Sequence, residues 1–222
     1  MQVIQIGSFA ILLKWLLLGS AVIVGLSIMW LWLRRTQKRE LHKKIMDLLY
    51  NSLFSGFVIW KVSLIFLEPS LVIKSPFSLL YFTGGRTGLV LAIIGSILFF
   101  LIQGKKTNTP NLLNLQSGFI FSFSVVSVYH IFALIFLNEN NINHYALGLL
   151  IALIVMIFYF KTHLLTQQRI FSIVILFSFL SLFLSFFGGN SSANSYLFSA
   201  EEWFYIGSII VSVNMWDKKS IA

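Results

Sequence analysis

Seven stretches of this chain are apolar enough to cross a bilayer, and the positive charge between them collects in every second connection. A bilayer core offers no water to backbone N–H and C=O groups, so each stretch must satisfy them internally as a helix. The expected fold is therefore all-α: a polytopic membrane protein of about seven transmembrane helices, residues 1–222 forming one integral-membrane domain. The chain is 58% hydrophobic and 10% charged, with a mean hydropathy of +0.88, whereas soluble domains carry roughly a quarter charged residues. A soluble fold of 222 residues has no room to hide that much apolar surface, and lipid must cover it.

The first expected span runs from Ile4 to Leu33, longer than the roughly 20 residues a bilayer needs. A basic connection over residues 34–44 follows, with Arg34, Arg35, Lys38, Arg39, Lys43 and Lys44. The second span, Ile45 to Leu67, stops at Glu68-Pro69. An outer loop over 68–86 leads to the third, Thr87 to Gln103, and its partly apolar stretch Ser75 to Phe82 reads as interfacial or re-entrant. The remaining spans are Leu112 to Leu137, Tyr145 to Phe160, Ile170 to Phe187, and Trp203 to Trp216. The last is short and must recruit Tyr196 to Ala200 to cross.

Twelve of the sixteen Lys and Arg residues lie in the first, third and fifth connections and the tail. By the positive-inside rule the N-terminus is outside and the C-terminus cytoplasmic. The first stretch has no basic region before it and no small-residue cleavage pattern, so it reads as a retained span rather than a signal peptide. A net charge of +9 would raise nucleic acid as a partner for a soluble chain. Here the basic residues flank hydrophobic spans, where anionic headgroups account for them; no nucleic-acid partner is expected. Cysteine is absent, which removes thiolate chemistry within the chain. The four histidines are scattered without metal-ligand spacing, and no metal or cofactor is expected.

Charged side chains are costly inside a membrane, so those present become the functional candidates. Threaded at the helical rise, Lys61 falls ~9 Å and His130 ~10 Å below the outer surface. Arg86, Glu201 and Glu202 fall at the outer boundary. Spans running in opposite directions thus bring these groups to one level, which points to a shared polar cavity. Plainer readings stand beside this one: Lys14 and Lys61 snorkel, Tyr129-His130 packs between helices, and Glu201 and Glu202 begin a helix whose dipole favours carboxylates. The segment Thr83-Gly84-Gly85-Arg86-Thr87-Gly88 is more specific. Its glycines allow close backbone approach, a helix start supplies amide donors, and Arg86 offers a planar fork for phosphate. The alternative is a glycine turn with Arg86 as an interfacial anchor.

The segment from Asp47 to Lys106 resembles the first half of bacterial prolipoprotein diacylglyceryl transferases. The resemblance rests on Asp47 opening the second span, Gly56 within it, and Pro69 and Pro76 in the outer loop. Leu79-Leu80-Tyr81-Phe82 then precedes Gly84-Gly85-x-x-Gly88, and a basic cytoplasmic connection follows the third span. It implies a multi-pass protein of the bacterial plasma membrane that transfers diacylglyceryl from phosphatidylglycerol to the cysteine of a lipoprotein precursor. Two departures accompany it. The family's histidine before the paired glycines is Thr83 here, and no arginine occurs between Arg86 and Arg169.

If the chain is catalytic, His130 is the expected proton acceptor. Arg86 and Lys61 would hold the phosphate, Gly84, Gly85 and Gly88 would cradle it, and Thr83, Tyr129, Glu201 and Glu202 would complete the substrate cavity. A non-catalytic scaffold or partner of an envelope protein is the alternative. A small transporter is a third reading, disfavoured by the absence of repeat symmetry.

Overall fold

The computed structural model describes residues 3–6, 9–74, 84–136, 142–162, 165–187 and 198–216. Strands β1 (Val3–Ile6) and β2 (Phe9–Leu12) pair antiparallel, with Val3 opposite Leu12 and Ile6 opposite Phe9. Eight described helices follow: α1 (Leu13–Thr36), α2 (Arg39–Leu67), α3 (Pro69–Lys74), α4 (Gly85–Lys106), α5 (Asn111–Phe136), α6 (Ile142–Phe160), α7 (Gln167–Phe187) and α8 (Ala200–Trp216). Helices α1, α2, α4, α5 and α7 are long and apolar enough to cross a membrane. The chain is thus a helical protein of membrane type.

The fold class is all-α as expected, and the short hairpin moves only the start of the first expected span, from Ile4 to Leu13. Val3-Ile4-Gln5-Ile6 is rich in β-branched residues, which favour strands. The two residues separating it from β2, Gly7-Ser8, are a hairpin signal between alternating runs. Helix α1 consequently begins at Leu13, and Lys14 sits in its first turn rather than ten residues inside a span. At 24 residues α1 is still ~36 Å long, enough for a bilayer. The basic connection is also mostly helical. Only Gln37 and Lys38 separate α1 from α2, because Lys and Arg are good helix formers. Trp32, near the end of α1, is buried at 1% exposure.

Proline and glycine set the other ends. Pro69 opens α3, where its missing N–H costs nothing. Gly84 caps α4, and Asn108 takes a positive φ of 53° after that helix ends. The expected re-entrant stretch, Ser75 to Phe82, lies outside the described residues.

The helices group into two compact units, Met1–His42 with Leu115–Ile170 and Lys43–Asn114 with Phe171–Ala222. In the first, Gly25 of α1 faces Val125 and Phe121 of α5; a Cβ on Gly25 would lie 2.6 Å from Val125 Cγ2. Small residues permit such close helix approach in lipid. Ser117, Ser124 and Ser127 of α5 are buried, and Ser127 Oγ donates to the Gly148 carbonyl of α6 at 3.1 Å. In the second unit, Gly56 of α2 meets Ser96 and Ala92 of α4, Gly95 meets Ile59, and α4 packs against α8. Large apolar side chains such as Phe54 and Leu176, each over two-thirds exposed, point outward. Water-soluble proteins rarely expose contiguous apolar surface of this kind; lipid covers it without cost.

Candidate functional site

The glycine segment is built on two residues of α2. Trp60 accepts at its carbonyl from the Gly84 N–H, 3.2 Å away, and its indole Nε1–H donates to the Gly85 carbonyl at 3.1 Å. Ser63 Oγ donates to the same Trp60 carbonyl at 2.7 Å. A Cβ on either Gly84 or Gly88 would run into Ser63 Oγ, and one on Gly88 would also lie 3.3 Å from Trp60 Cδ1. These two glycines are needed for close packing. Gly85 has open space around it but a φ of +61°, a left-handed conformation that glycine adopts without strain.

The Gly84 amide is engaged with Trp60, and the Gly88 amide makes the first helical bond, to the Gly84 carbonyl at 2.9 Å. The amides of Gly85 and Thr87 precede that bond and have no acceptor within the helix. The Gly85 and Thr87 amides are thus first-turn donors of α4 that no bond within the helix consumes.

Chain continuity places two cations at this joint. Lys61, half-buried, follows Trp60; Arg86, exposed, follows Gly85. The Gly84 N–H to Trp60 carbonyl bond thus brings the two backbone segments together. The first turn of α4 contains no acidic residue, and the positive end of a helix dipole disfavours cations. Arg86 therefore sits where the helix dipole favours an anion over a cation.

Glu202 is differently employed. Ser199 and Glu202 form a capping box at the start of α8: the Ser199 N–H donates to Oε2 at 2.6 Å, and the Glu202 N–H donates to Ser199 Oγ at 3.3 Å. Oε1 accepts from Ser185 Oγ of α7 at 3.0 Å. Both carboxylate oxygens thus cap one helix and tie it to its neighbour. The Glu201 side chain and Thr83 lie outside the described residues.

Tyr129 and His130 belong to the first unit, whereas Lys61, Gly84, Gly85, Arg86, Gly88 and Glu202 belong to the second. Their rings meet edge-on, with centroids 6.1 Å apart. The α5 backbone at His130 packs on Gly148, where an added Cβ would lie 3.1 Å from His130 Cβ. Sequence reasoning missed Trp60 and Ser63 as the platform for the glycine turn. The spacing of Ser63 and Trp60 on one face of α2 was visible, but the partner 25 residues away in the chain was not.

Compared with protein-family models, curated proteins and solved structures, the chain matches none.

Proposed function

We propose that the chain is a seven-span membrane protein, N-terminus outside and C-terminus cytoplasmic, that binds a phospholipid headgroup at the outer leaflet beside the Gly84–Gly88 turn. The observation that carries this reading is the Trp60–Gly85 joint. It joins the segments that carry Lys61 and Arg86 at a helix start whose first turn offers amide donors and contains no acidic residue. Helices α6 and α8 supply the two remaining spans, the fifth and seventh in chain order. A phosphate satisfies all three features, since it accepts from amides, from a guanidinium and from an ammonium at once.

The resemblance to prolipoprotein diacylglyceryl transferases supplies the lipid and the reaction: phosphatidylglycerol as donor, the cysteine of a lipoprotein precursor as acceptor, and the bacterial plasma membrane as location. In that reaction the cysteine belongs to the partner peptide. Arg86 and Lys61 stabilise the charge of the leaving phosphate. Purified chain incubated with phosphatidylglycerol and a lipobox peptide is expected to yield diacylated peptide. Sustained inactivity with lipid still bound would contradict the transferase reading and leave the lipid-binding one.

The second reading is a lipid-binding scaffold for an envelope protein, favoured by threonine at position 83 and by the lack of arginine between Arg86 and Arg169. A threonine hydroxyl needs a neighbouring base before it serves in proton transfer.

A further inference from the structure

The C-terminal ends of α1 and α6 come together in the first unit. Arg34 Cζ lies 5.2 Å from the ring centroid of Trp30, one turn earlier on α1. Arg35 Cζ reaches α6, 5.8 Å from the Tyr159 ring and 5.2 Å from the Phe160 ring. The quadrupoles of these rings attract the guanidinium and fix its position. Both arginines are exposed. Neither is described in a salt bridge, so their N–H donors are not consumed by a carboxylate among the described residues.

Phe160 also belongs to a second feature. With Leu153, Met156, Ile157 and Lys161 it lines an open groove of about 380 Å³. Those positions follow i, i+3, i+4, i+7 and i+8, one face of a helix. The groove is apolar, Lys161 follows Phe160 in the chain, and Arg35 lies over the Phe160 ring.

An apolar helix face with Lys161 at its C-terminal end and Arg35 held over the Phe160 ring has the polarity of a phospholipid with an anionic head. We infer that the α6 face binds one anionic phospholipid in the leaflet next to the α1–α2 junction. An acyl chain lies along Leu153 to Phe160, and the phosphate accepts from Arg35 and Lys161. The charge context agrees: Arg34, Arg35, Lys38 and Arg39 cluster at that junction, and basic residues beside a span attract anionic headgroups. This site uses the first unit only and shares no residue with the Gly84 turn, so the two lipids are separable.

Native mass spectrometry of the purified full chain tests it, with phosphatidylglycerol, phosphatidylcholine of the same chains, and water-soluble glycerol phosphate as probes. Phosphatidylglycerol is expected to be retained in preference to phosphatidylcholine, and glycerol phosphate, lacking the acyl chain, not to bind here. The double substitution Arg35→Gln with Lys161→Gln is expected to lower retention about tenfold, while Lys105→Gln leaves it unchanged. Leu153→Trp, which fills the groove from an exposed position and keeps both cations, is expected to lower it too. This variant also tests the site if the double variant does not fold. Arg86→Ala is expected to remove the other lipid and spare this one. The inference is overturned by equal losses with Lys105→Gln, by glycerol phosphate binding as well as the lipid, by dimerisation through this face instead of lipid uptake, or by full retention in both groove variants.

Discussion

A methyl group added to Gly84 or Gly88 would meet the Ser63 hydroxyl, and overpacking of this kind costs about 1–3 kcal/mol. Gly88→Ala is therefore expected to lower the melting temperature of the purified protein. Ser63→Ala removes the obstructing oxygen and loses one hydrogen bond, worth about 1 kcal/mol. In the double variant the two costs should not add: Gly88→Ala on the Ser63→Ala background is expected to be nearly neutral. Additive losses would show that Ser63 is not what the glycine accommodates. Gly85 presents a different case, because nothing crowds it and only its φ of +61° demands glycine. Gly85→Ala is expected to cost about 1–2 kcal/mol, and Gly85→Asn less, since asparagine tolerates left-handed backbone. The glycine spacing was legible in the sequence as a turn preceding a helix. Its physical cause was not, because the packing partners Trp60 and Ser63 lie on a different helix and no local pattern announces the pairing.

At the scale of elements, most helix ends agree with the apolar stretches within a few residues, since water and lipid partition side chains along each span before any tertiary contact matters. Helix α5, Asn111–Phe136, nearly coincides with the expected Leu112 to Leu137. The discrepancies have local causes. Residues Ile4 to Leu12 are nearly as hydrophobic as a span, but Val3, Ile4 and Ile6 are β-branched and favour a strand, which hydropathy alone does not register. At α8 the sequence Ser199-Ala200-Glu201-Glu202 contains a capping box, while attention to the dipole alone saw two carboxylates near a helix start. Ser199→Ala is expected to destabilise α8 by about 0.5–2 kcal/mol. Glu202→Gln, which keeps an acceptor for the Ser199 amide, should be milder than Glu202→Ala. Thermal unfolding followed by helical circular dichroism checks the order; equal effects of Gln and Ala would contradict the cap.

For the molecule as a whole, the absence of cysteine makes topology directly measurable. A single Lys38→Cys variant is expected to react with a membrane-impermeant thiol reagent only from the cytoplasmic face, and Lys74→Cys only from the outer face. Labelling of both from one face would overturn the proposed orientation and, with it, the assignment of the Gly84 turn to the outer leaflet. Charge alternation carried the orientation reading, and apolar length carried the membrane reading; both are summed over many residues and survive local errors. The proposed lipid site depends instead on a few side chains and one long-range hydrogen bond, of which the sequence shows only the glycines and the cations. The most direct test is binding of phosphatidylglycerol to the full chain and to the Lys61→Ala with Arg86→Ala variant, both in phosphatidylcholine nanodiscs and titrated by the same lipid-retention measurement. The account expects the intact chain to hold a phosphatidylglycerol at the outer face and the variant, equally helical and inserted, to lose it. Undiminished retention of that outer lipid by the variant would contradict it.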